Sequence, residues 1–142
     1  MRLHRSRGAA APPYTGLAFF QGWTDADLAR LDRLAEVVEY APGEVVCAPV
    51  RLVREFFVVL SGQAEVVEGA RRLCELGPGD TVGEQGLLIG AQLQAAVLAR
   101  TDLSALYLGP REFHGLLREA PSFGRALSIA LADRLFRLPA SA

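Results

Sequence analysis

The sequence contains neither lysine nor asparagine, so all 15 of its basic residues are arginines. Without lysine, the chain has no residue for Schiff-base catalysis and cannot form the lysine-containing phosphate loop of nucleotide hydrolases. Its two cysteines, Cys47 and Cys74, lie 27 residues apart, a spacing that fits neither a zinc site nor a disulfide framework. We therefore expect both to be reduced, half-buried thiols.

Histidine is also scarce, because the chain has only His4 and His114. A metalloenzyme on a β-roll needs clustered histidine ligands, and a cysteine nucleophile needs a histidine base nearby; the sequence indicates neither arrangement. Carboxylates such as Asp25, Asp27, Glu75 and Asp80 are scattered over turns and the polar helix face, where we expect solvated charges, and they form no pair that indicates acid-base catalysis. We predict that the protein is not an enzyme and holds no metal or cofactor, and that His114 lies on a helix surface.

Long apolar runs are absent as well. None reaches the roughly 18 residues of a membrane span, and the N-terminus lacks the apolar core of a secretory signal. The 15 basic and 16 acidic residues leave a net charge of −1, so no strong positive field attracts nucleic acid. Only four residues follow the last predicted helix, so we expect no DNA-recognition helix. These absences predict a cytoplasmic protein that binds neither membranes nor nucleic acid directly.

The sequence does contain enough apolar surface for one packed core, since 51% of its 142 residues are hydrophobic and 22% are charged. Residues 1–16 carry scattered basic residues and a proline pair without helical or strand periodicity, which predicts a flexible tail. An electrostatic arm for an acidic partner is the alternative. Residues 17–142 are predicted to form a single domain.

A helix is predicted at the start of this domain, where Thr24 and Asp27 form a capping box before apolar residues at helical spacing. This helix is expected to include Val38 and to stop before Pro42-Gly43. Short strands follow, because β-branched and aromatic residues alternate with glycine and proline turns. The expected core residues of the strands are Phe57, Val59, Leu60 and Val66, with Val58 as the less certain member.

Two helices are predicted at the C-terminal end, beginning at Pro110 and Pro121. The second is apolar over more of its circumference than one buried face requires. Its apolar residues are Phe123, Leu127, Ile129, Ala130, Leu131, Leu135 and Phe136. Either this stripe docks entirely on the domain, or part of it binds a second surface such as another copy of the chain.

Closely spaced glycines follow Asp80, in the segment Gly83-Glu84-Gln85-Gly86. If Glu84–Ile89 forms a helical turn, the backbone amides at its start converge on one point and favour an anion such as phosphate. A tight corner without a ligand is the ordinary alternative. On its own, the segment is only weak evidence of a binding site.

Several segments, taken together, have a more specific pattern. They are Pro42-Gly43-Glu44-Val45-Val46, Phe57-Val58-Val59-Leu60-Ser61-Gly62, Leu76-x-Pro78-Gly79-Asp80, Val82-Gly83-Glu84, Ala95-x-Val97-x-Ala99-x-Thr101 and Phe113-x-x-Leu116-Leu117. In these segments the chain resembles the cyclic nucleotide-binding domain family of catabolite activator proteins and kinase regulatory subunits, over about residues 17 to 138. The resemblance implies a mainly β fold: an eight-stranded antiparallel, jelly-roll-like β-roll with an N-terminal helix, a short cassette helix and C-terminal helices. It also favours a homodimer through the last helix.

The resemblance implies a ligand site around the cassette helix. Gly83 matches the glycine that lets the backbone approach the ligand, and Glu84 matches the carboxylate that accepts a hydrogen bond from the ribose 2′-hydroxyl. Gly86 and Leu87 match the positions that offer backbone N–H groups to the cyclic phosphate. Val82 stands where the family usually has an aromatic residue. The candidate ligand-binding residues are Val82, Gly83, Glu84, Gly86, Leu87, Leu93, Gln94 and Ala95.

The arginine with which the family pairs the phosphate is missing. It should stand eight residues before Thr101, and the sequence has Leu93 there, followed by Gln94 and Ala95. A charge-assisted pair contributes about 1.5 to 3 kcal/mol, so its loss weakens binding roughly ten- to a hundredfold. Glu84 is then expected to cap the short helix or to pair with an arginine.

Two functions follow from these observations. The first is a stand-alone regulatory or sensory module whose binding of cAMP, cGMP or another small anionic ligand is weak, altered or lost. The alternative is a nucleotide-independent module for protein interaction or oligomerisation that has kept only the fold. Both imply a protein partner, and the sequence does not distinguish them.

Overall fold

The computed structural model describes residues 4–7, 16–48, 51–52, 55–89, 92–93 and 95–137. The helices are α1 (Asp25–Leu34), α2 (Glu84–Ile89), α3 (Pro110–Glu119) and α4 (Pro121–Arg137), and a 3-10 turn covers Ala18–Phe20. The strands are β1 (His4–Arg7), β2 (Glu36–Tyr40), β3 (Val45–Cys47), β4 (Arg51–Leu52), β5 (Phe56–Ser61), β6 (Ala64–Glu68), β7 (Arg71–Leu76), β8 (Thr81–Val82), β9 (Gln92–Leu93), β10 (Ala96–Ala99) and β11 (Leu103–Leu108).

The strands form two main antiparallel sheets and one short ribbon. The first sheet has the order β1-β2-β11-β5-β8, the second has the order β3-β10-β6-β7, and β4 pairs with β9. The helices lie at the chain ends of this β-structure, except α2, which is inserted between β8 and β9. The predicted fold class, a mainly antiparallel β-roll with flanking helices, is confirmed.

The first helix begins where the sequence predicts and ends earlier. Thr24 is the N-cap of α1, and its hydroxyl accepts a hydrogen bond from the Asp27 N–H at 3.1 Å. The helix ends at Leu34, because Glu36–Tyr40 is the strand β2 instead. The prediction that Val38 belongs to the helix is therefore wrong. Val38 is fully buried in β2, in a β-branched run that suits a pleated strand better than a helix.

Buried side chains form two clusters on opposite sides of the first sheet. The helix-side cluster includes Phe19, Phe20, Trp23, Leu31, Phe56, Val58, Leu106, Leu108, Phe113, Leu116, Phe123 and Leu127. The roll cluster includes Val38, Tyr40, Val46, Phe57, Val59, Ala64, Leu76, Val82, Val97, Ala99, Leu103 and Ala105.

Strand β5 contributes to both clusters, because successive side chains of a strand point to opposite faces. Phe57 and Val59 are buried in the roll cluster, as predicted. Val58, the less certain member, is completely buried on the other face, in the helix-side cluster. Leu60 and Val66 are only partly buried.

The C-terminal helix α4 is buried in its first half and exposed in its second. Phe123 and Leu127 belong to the helix-side cluster. Ile129, Leu135 and Phe136 are exposed by 53%, 71% and 91%. The wide apolar stripe therefore does not dock entirely on the domain.

Three smaller expectations need correction. Asp27 is buried rather than solvated, because its carboxylate accepts hydrogen bonds from Ser122 and Arg30. Within the predicted tail, His4–Arg7 forms the strand β1, which pairs antiparallel with β2. The rest of residues 1–15 lies outside the described residues. Cys47 is half-buried, whereas Cys74 is exposed on β7 rather than half-buried. His114 is exposed on α3, as predicted.

Candidate functional site

The site begins at a turn that the roll holds in place. The backbone of Val59 in β5 accepts a hydrogen bond from the Gly79 N–H at 2.7 Å and donates one to the Asp80 carbonyl at 2.9 Å. The Asp80 carboxylate accepts a hydrogen bond from the Gly77 N–H at 2.8 Å, which closes the turn. These contacts fix the position at which β8 and α2 start.

Gly83 connects β8 to α2 with a φ of +102°, in the left-handed region that favours glycine. Its carbonyl accepts a hydrogen bond from the Leu87 N–H at 3.2 Å, which closes the first turn of α2. The predicted short helix after the glycine is thus present as Glu84–Ile89, and it contains Gly86.

Glu84 is the first residue of α2 and has only 1% of its surface exposed. Its Oε2 accepts a hydrogen bond from Arg134 Nη1 at 2.6 Å. Arg134 also donates from Nη2 to the Thr81 carbonyl at 2.9 Å and to the Thr81 hydroxyl at 3.3 Å. Of the two roles expected for Glu84, pairing with an arginine is the one observed. The arginine comes from α4.

The second carboxylate oxygen of Glu84, Oε1, is buried and has no hydrogen-bond partner in the described part of the chain. A buried carboxylate is stabilised only when its lone pairs are satisfied, so an open acceptor at this position has a free-energy cost of about 1 to 3 kcal/mol. A hydroxyl or amide donor that reached Oε1 would recover that cost. Glu84 is therefore a carboxylate with one oxygen committed to α4 and one able to accept a donor.

Three other candidate residues are buried or partly buried in the fold. Val82 is buried in the roll cluster, where it stands opposite Phe57 in the ladder between β8 and β5. Leu87 is partly buried against the helix-side cluster. Ala95 is buried just before β10.

Leu93 lies in β9, where it pairs with Arg51 of β4. Gln94 lies outside the described residues. For Gly86, the structure describes the backbone only, within α2.

Sequence reasoning missed Arg134 and Thr81. Thr81 directly precedes the candidate segment and is buried in β8. Its carbonyl accepts a hydrogen bond from Arg134, which orients the guanidinium. Arg134 is 50 residues from Glu84. Its sequence signal is weak: it is an arginine in the predicted apolar stripe of α4, where a charged residue needs a partner.

A cavity of about 410 Å³ lies beside this ion pair. It is bounded by the 3-10 turn Ala18–Phe20, the residues 78–81 and one face of α4. Arg134 and Thr81 line it, together with the half-exposed Ile129. The contact between α4 and the start of the cassette is therefore only loosely packed on this side.

In the described ranges, no group of three or more His, Cys, Asp or Glu residues is placed to hold a metal ion. No helix in the same ranges is both long and apolar enough to cross a membrane.

The family model described as "Cyclic nucleotide-binding domain" matches residues 37–120. A cAMP-dependent protein kinase regulatory subunit of Hypocrea atroviridis is 29% identical over 94 residues, which are 66% of this chain and 20% of that protein. The chain thus spans about a fifth of that relative.

Two solved structures have the same fold. The catabolite activator protein of Thermus thermophilus superposes with a TM-score of 0.71 at 26% identity, covering 82% of this chain and 57% of that one. The regulatory subunit of a cAMP-independent protein kinase A from Trypanosoma brucei gives a TM-score of 0.72 at 23% identity, covering 89% of this chain and 45% of that one. At this identity, the trypanosomal protein shows the fold alone.

Proposed function

Because the chain belongs to the cyclic nucleotide-binding domain family, we propose that it is a non-catalytic regulatory module that binds a cyclic nucleotide, cAMP or cGMP, weakly. The observation that carries the proposal is Glu84, a buried carboxylate with one oxygen on Arg134 and one without a partner. A sugar hydroxyl is the neutral donor that suits such an oxygen, because it adds no second charge to the Glu84–Arg134 pair.

The remaining residues of the cassette suit the ring next to that hydroxyl. The left-handed Gly83 leaves room for a ligand close to the backbone, since it has no Cβ. In this proposal, Gly86 donates its backbone N–H to the cyclic phosphate, while Val82 and Ala95 form apolar walls. The Leu87 N–H, the other donor that the resemblance implies, is already bonded to the Gly83 carbonyl. Gln94 adds a neutral donor at most.

The weakness of binding follows from Leu93. A leucine cannot neutralise a phosphate, and a missing charge-assisted pair corresponds to about a ten- to hundredfold loss of affinity. Glu84 adds negative charge to the site, although Arg134 compensates it in part. We therefore expect dissociation constants in the micromolar range or weaker.

The regulatory output would run through α4. Arg134 joins the cassette to this helix, so a ligand that changes the position of Glu84 also changes the contact that holds α4. The exposed end of the same helix carries Leu135 and Phe136, which a protein partner or a second copy could cover. A shift in α4 would then alter that contact.

A second candidate function is a nucleotide-independent interaction module. The exposed apolar end of α4 supports it, because this surface needs a covering partner whether or not a ligand binds. The fold itself occurs in a kinase subunit described as cAMP-independent. In this candidate, the Glu84–Arg134 pair is a structural tie between the cassette and α4.

Isothermal titration of the full chain with cAMP and with cGMP separates the two candidates. We expect binding at micromolar or weaker affinity, and a loss of at least about tenfold in Glu84→Gln. Glu119→Gln is the matched control, because Glu119 is an exposed carboxylate on α3. Submicromolar binding of cAMP by the wild-type protein would contradict the weak site. No binding of either nucleotide would favour the interaction module.

A further inference from the structure

The cavity beside α4 is a pocket of its own, apart from the cassette. It lies between the 3-10 turn Ala18–Phe20, the residues 78–81 and α4, and no described side chain of α2 lines it. Its volume of about 410 Å³ is within the range of about 300 to 1,000 Å³ that small-molecule sites occupy. The cavity is therefore large enough for a small organic molecule, whether or not the cassette binds a nucleotide.

One face of α4 forms a wall of this cavity. The lining residues of the helix recur every three to four positions, which places them on the same face. They are Ala126, Ile129, Ala130, Asp133 and Arg134. Phe19 lines the wall that the 3-10 turn forms. Because the two alanines are small and Ile129 is half-exposed, this part of the lining offers an apolar body a surface to pack against.

The charged residues of the described lining give the cavity a negative character. Asp80 and Asp133 contribute two carboxylates, one from the wall at residues 78–81 and one from α4. Arg134 contributes the one guanidinium among these residues, and Glu84 already balances its charge across a contact of 2.6 Å. A cation is therefore attracted to this lining, and an anion is repelled.

The carboxylate of Asp80 is fixed in position by its own turn. It accepts a hydrogen bond from the Gly77 N–H at 2.8 Å, and the Asp80 carbonyl accepts one from the Val59 N–H at 2.9 Å. A group that is held in place before a ligand arrives lowers the entropic cost of binding. Asp133 lies on an exposed part of α4, at the rim of the cavity.

We propose that the cavity beside α4 binds a small organic cation, a primary amine with an apolar body. The apolar body packs against Phe19, Ile129 and Ala130. The ammonium group donates hydrogen bonds to the carboxylates of Asp80 and Asp133. Such a ligand joins the 3-10 turn to α4, and its site goes beyond the proposed nucleotide site and does not depend on it.

Three ligands with the same apolar chain test this proposal: octylamine, octanol and octanoate, each titrated into the full chain at pH 7. Trp23 provides the signal, because it is the only tryptophan and its ring centroid lies 6.1 Å from that of Phe19. Octylamine should change the fluorescence of Trp23 saturably, with one site per chain by calorimetry. It should bind at least about threefold more tightly than octanol, and octanoate should bind least.

A matched pair of substitutions on α4 locates the site. Ala130→Leu adds a larger side chain to the lining, so it should weaken octylamine binding by at least about tenfold. Ala132→Leu makes the same change at an exposed position outside the described lining, and it should leave the affinity unchanged within about twofold. Thermal melts of both variants check that the fold is intact. Equal losses in the two variants would place the bound amine elsewhere and overturn the proposal.

A charge variant tests the contact of the ammonium group and does not alter the packing of the helix. Asp133→Asn should weaken octylamine binding by about two- to fivefold and leave octanol binding unchanged. Asp25→Asn is the control, because it removes an exposed carboxylate from α1, outside the described lining. It should change neither affinity.

The other outcomes contradict the proposal. Equal affinities for the three ligands would mean an apolar cavity without charge preference, and tightest binding of octanoate would mean an anion site at Arg134. No binding of octylamine at millimolar concentration would mean that the cavity takes no amine of this class. None of these results depends on a titration with cAMP or cGMP, so the failure of this inference is distinguishable from the failure of the proposed function.

Discussion

The carboxylate of Asp27, in the first turn of α1, accepts a hydrogen bond from the backbone N–H of Ser122, at the start of α4, at 3.0 Å. Asp27 also accepts from Arg30 at 2.8 Å. Thr24 donates its N–H to the Ser122 hydroxyl at 3.2 Å, so the two helix starts are joined by reciprocal contacts. Asp27 thereby satisfies an amide at the N-terminus of a helix 95 residues away.

This contact predicts a pH-dependent stability. Hydrogen bonding from the Ser122 side chain, then from its backbone, and the Arg30 charge lower the pKa of Asp27 below the ordinary 3.8, against the opposing effect of burial. A lowered pKa means that the carboxylate stabilises the fold fully above the ordinary value and loses this contribution as the pH falls through the folded-state pKa. At pH 7, Asp27→Asn should lower the free energy of unfolding by about 1 to 3 kcal/mol.

Denaturant melts at pH 7 and near pH 2.5 provide the measurement. The difference between the wild-type protein and Asp27→Asn should shrink at the lower pH. Asp25→Asn is the control, because Asp25 is an exposed aspartate in the same helical turn. An equal loss in both variants would mean that the contact with Ser122 contributes nothing specific.

A second prediction concerns the ion pair of the site. Arg134→Ala leaves the buried carboxylate of Glu84 without its cation, so it should lower the unfolding free energy by about 1 to 3 kcal/mol. Adding Glu84→Gln should recover part of this loss, with a coupling energy of about 1 kcal/mol or more. Chemical melts of the wild type, both single variants and the double variant measure the coupling. Strictly additive effects would show that the pair is energetically unimportant.

The core prediction concerns Phe57, which is 1% exposed in the roll cluster. Phe57→Ala should lower the free energy of unfolding by about 3 to 5 kcal/mol, because it removes a buried ring and leaves a cavity. Leu60→Ala is the comparison, since Leu60 is only partly buried and should cost less. A loss below about 1 kcal/mol for Phe57→Ala would be inconsistent with the packing of β5.

Gly62 provides a backbone prediction. It has a φ of +90°, and a Cβ there would lie 2.1 Å from the Asp102 carbonyl oxygen. Gly69 also has a positive φ, +62°, but a Cβ there would meet nothing within 4 Å. Gly62→Ala should therefore destabilise the fold by at least about 2 kcal/mol more than Gly69→Ala, because it adds a backbone clash to the same conformational cost. Thermal melts of the two variants measure this difference, and equal losses would contradict it.

The last prediction is self-association through α4. Its exposed residues Ile129, Leu135 and Phe136 favour a two-fold contact between two copies of the chain. Light scattering at tens of micromolar should report a dimer, and Phe136→Glu should convert it to a folded monomer. Glu119→Gln, an exposed change on α3, should leave the mass unchanged. A clean monomer for the wild-type protein would exclude the dimer.

Local sequence signals predicted the helix starts well, and longer-range geometry much less. Pro110 and Pro121 begin α3 and α4, because proline has the dihedral and the missing donor that a first turn tolerates. The end of α1 is not predictable from local signals, because the spacing of Leu34 and Val38 fits a helix while the β-branched pair Val37-Val38 fits a strand. Only the pairing of β2 with its sheet neighbours β1 and β11 decides between them.

For the candidate site too, the local features were predictable from the sequence and the long-range contacts were not. The turn at Gly83 and the helix after it follow from neighbouring residues. The contact of Glu84 with Arg134 depends on where α4 crosses the roll, which no local pattern encodes. The pairing of Arg51 with Leu93 likewise depends on a ladder between segments about 40 residues apart.

The alternating side chains of β5 make the unfolding of the domain cooperative, because each face of the strand belongs to a different cluster. Phe56 and Val58 complete the helix-side cluster, while Phe57 and Val59 complete the roll cluster. Detaching the helices would expose Phe56 and Val58, and opening the roll would expose Phe57 and Val59. Neither the helices nor the roll can therefore unfold alone without exposing buried side chains of β5. The domain should therefore unfold in a single transition, with the slowest amide hydrogen exchange in β5. The exposed end of α4 can then move while the rest of the domain stays folded, because that rest unfolds only as one unit.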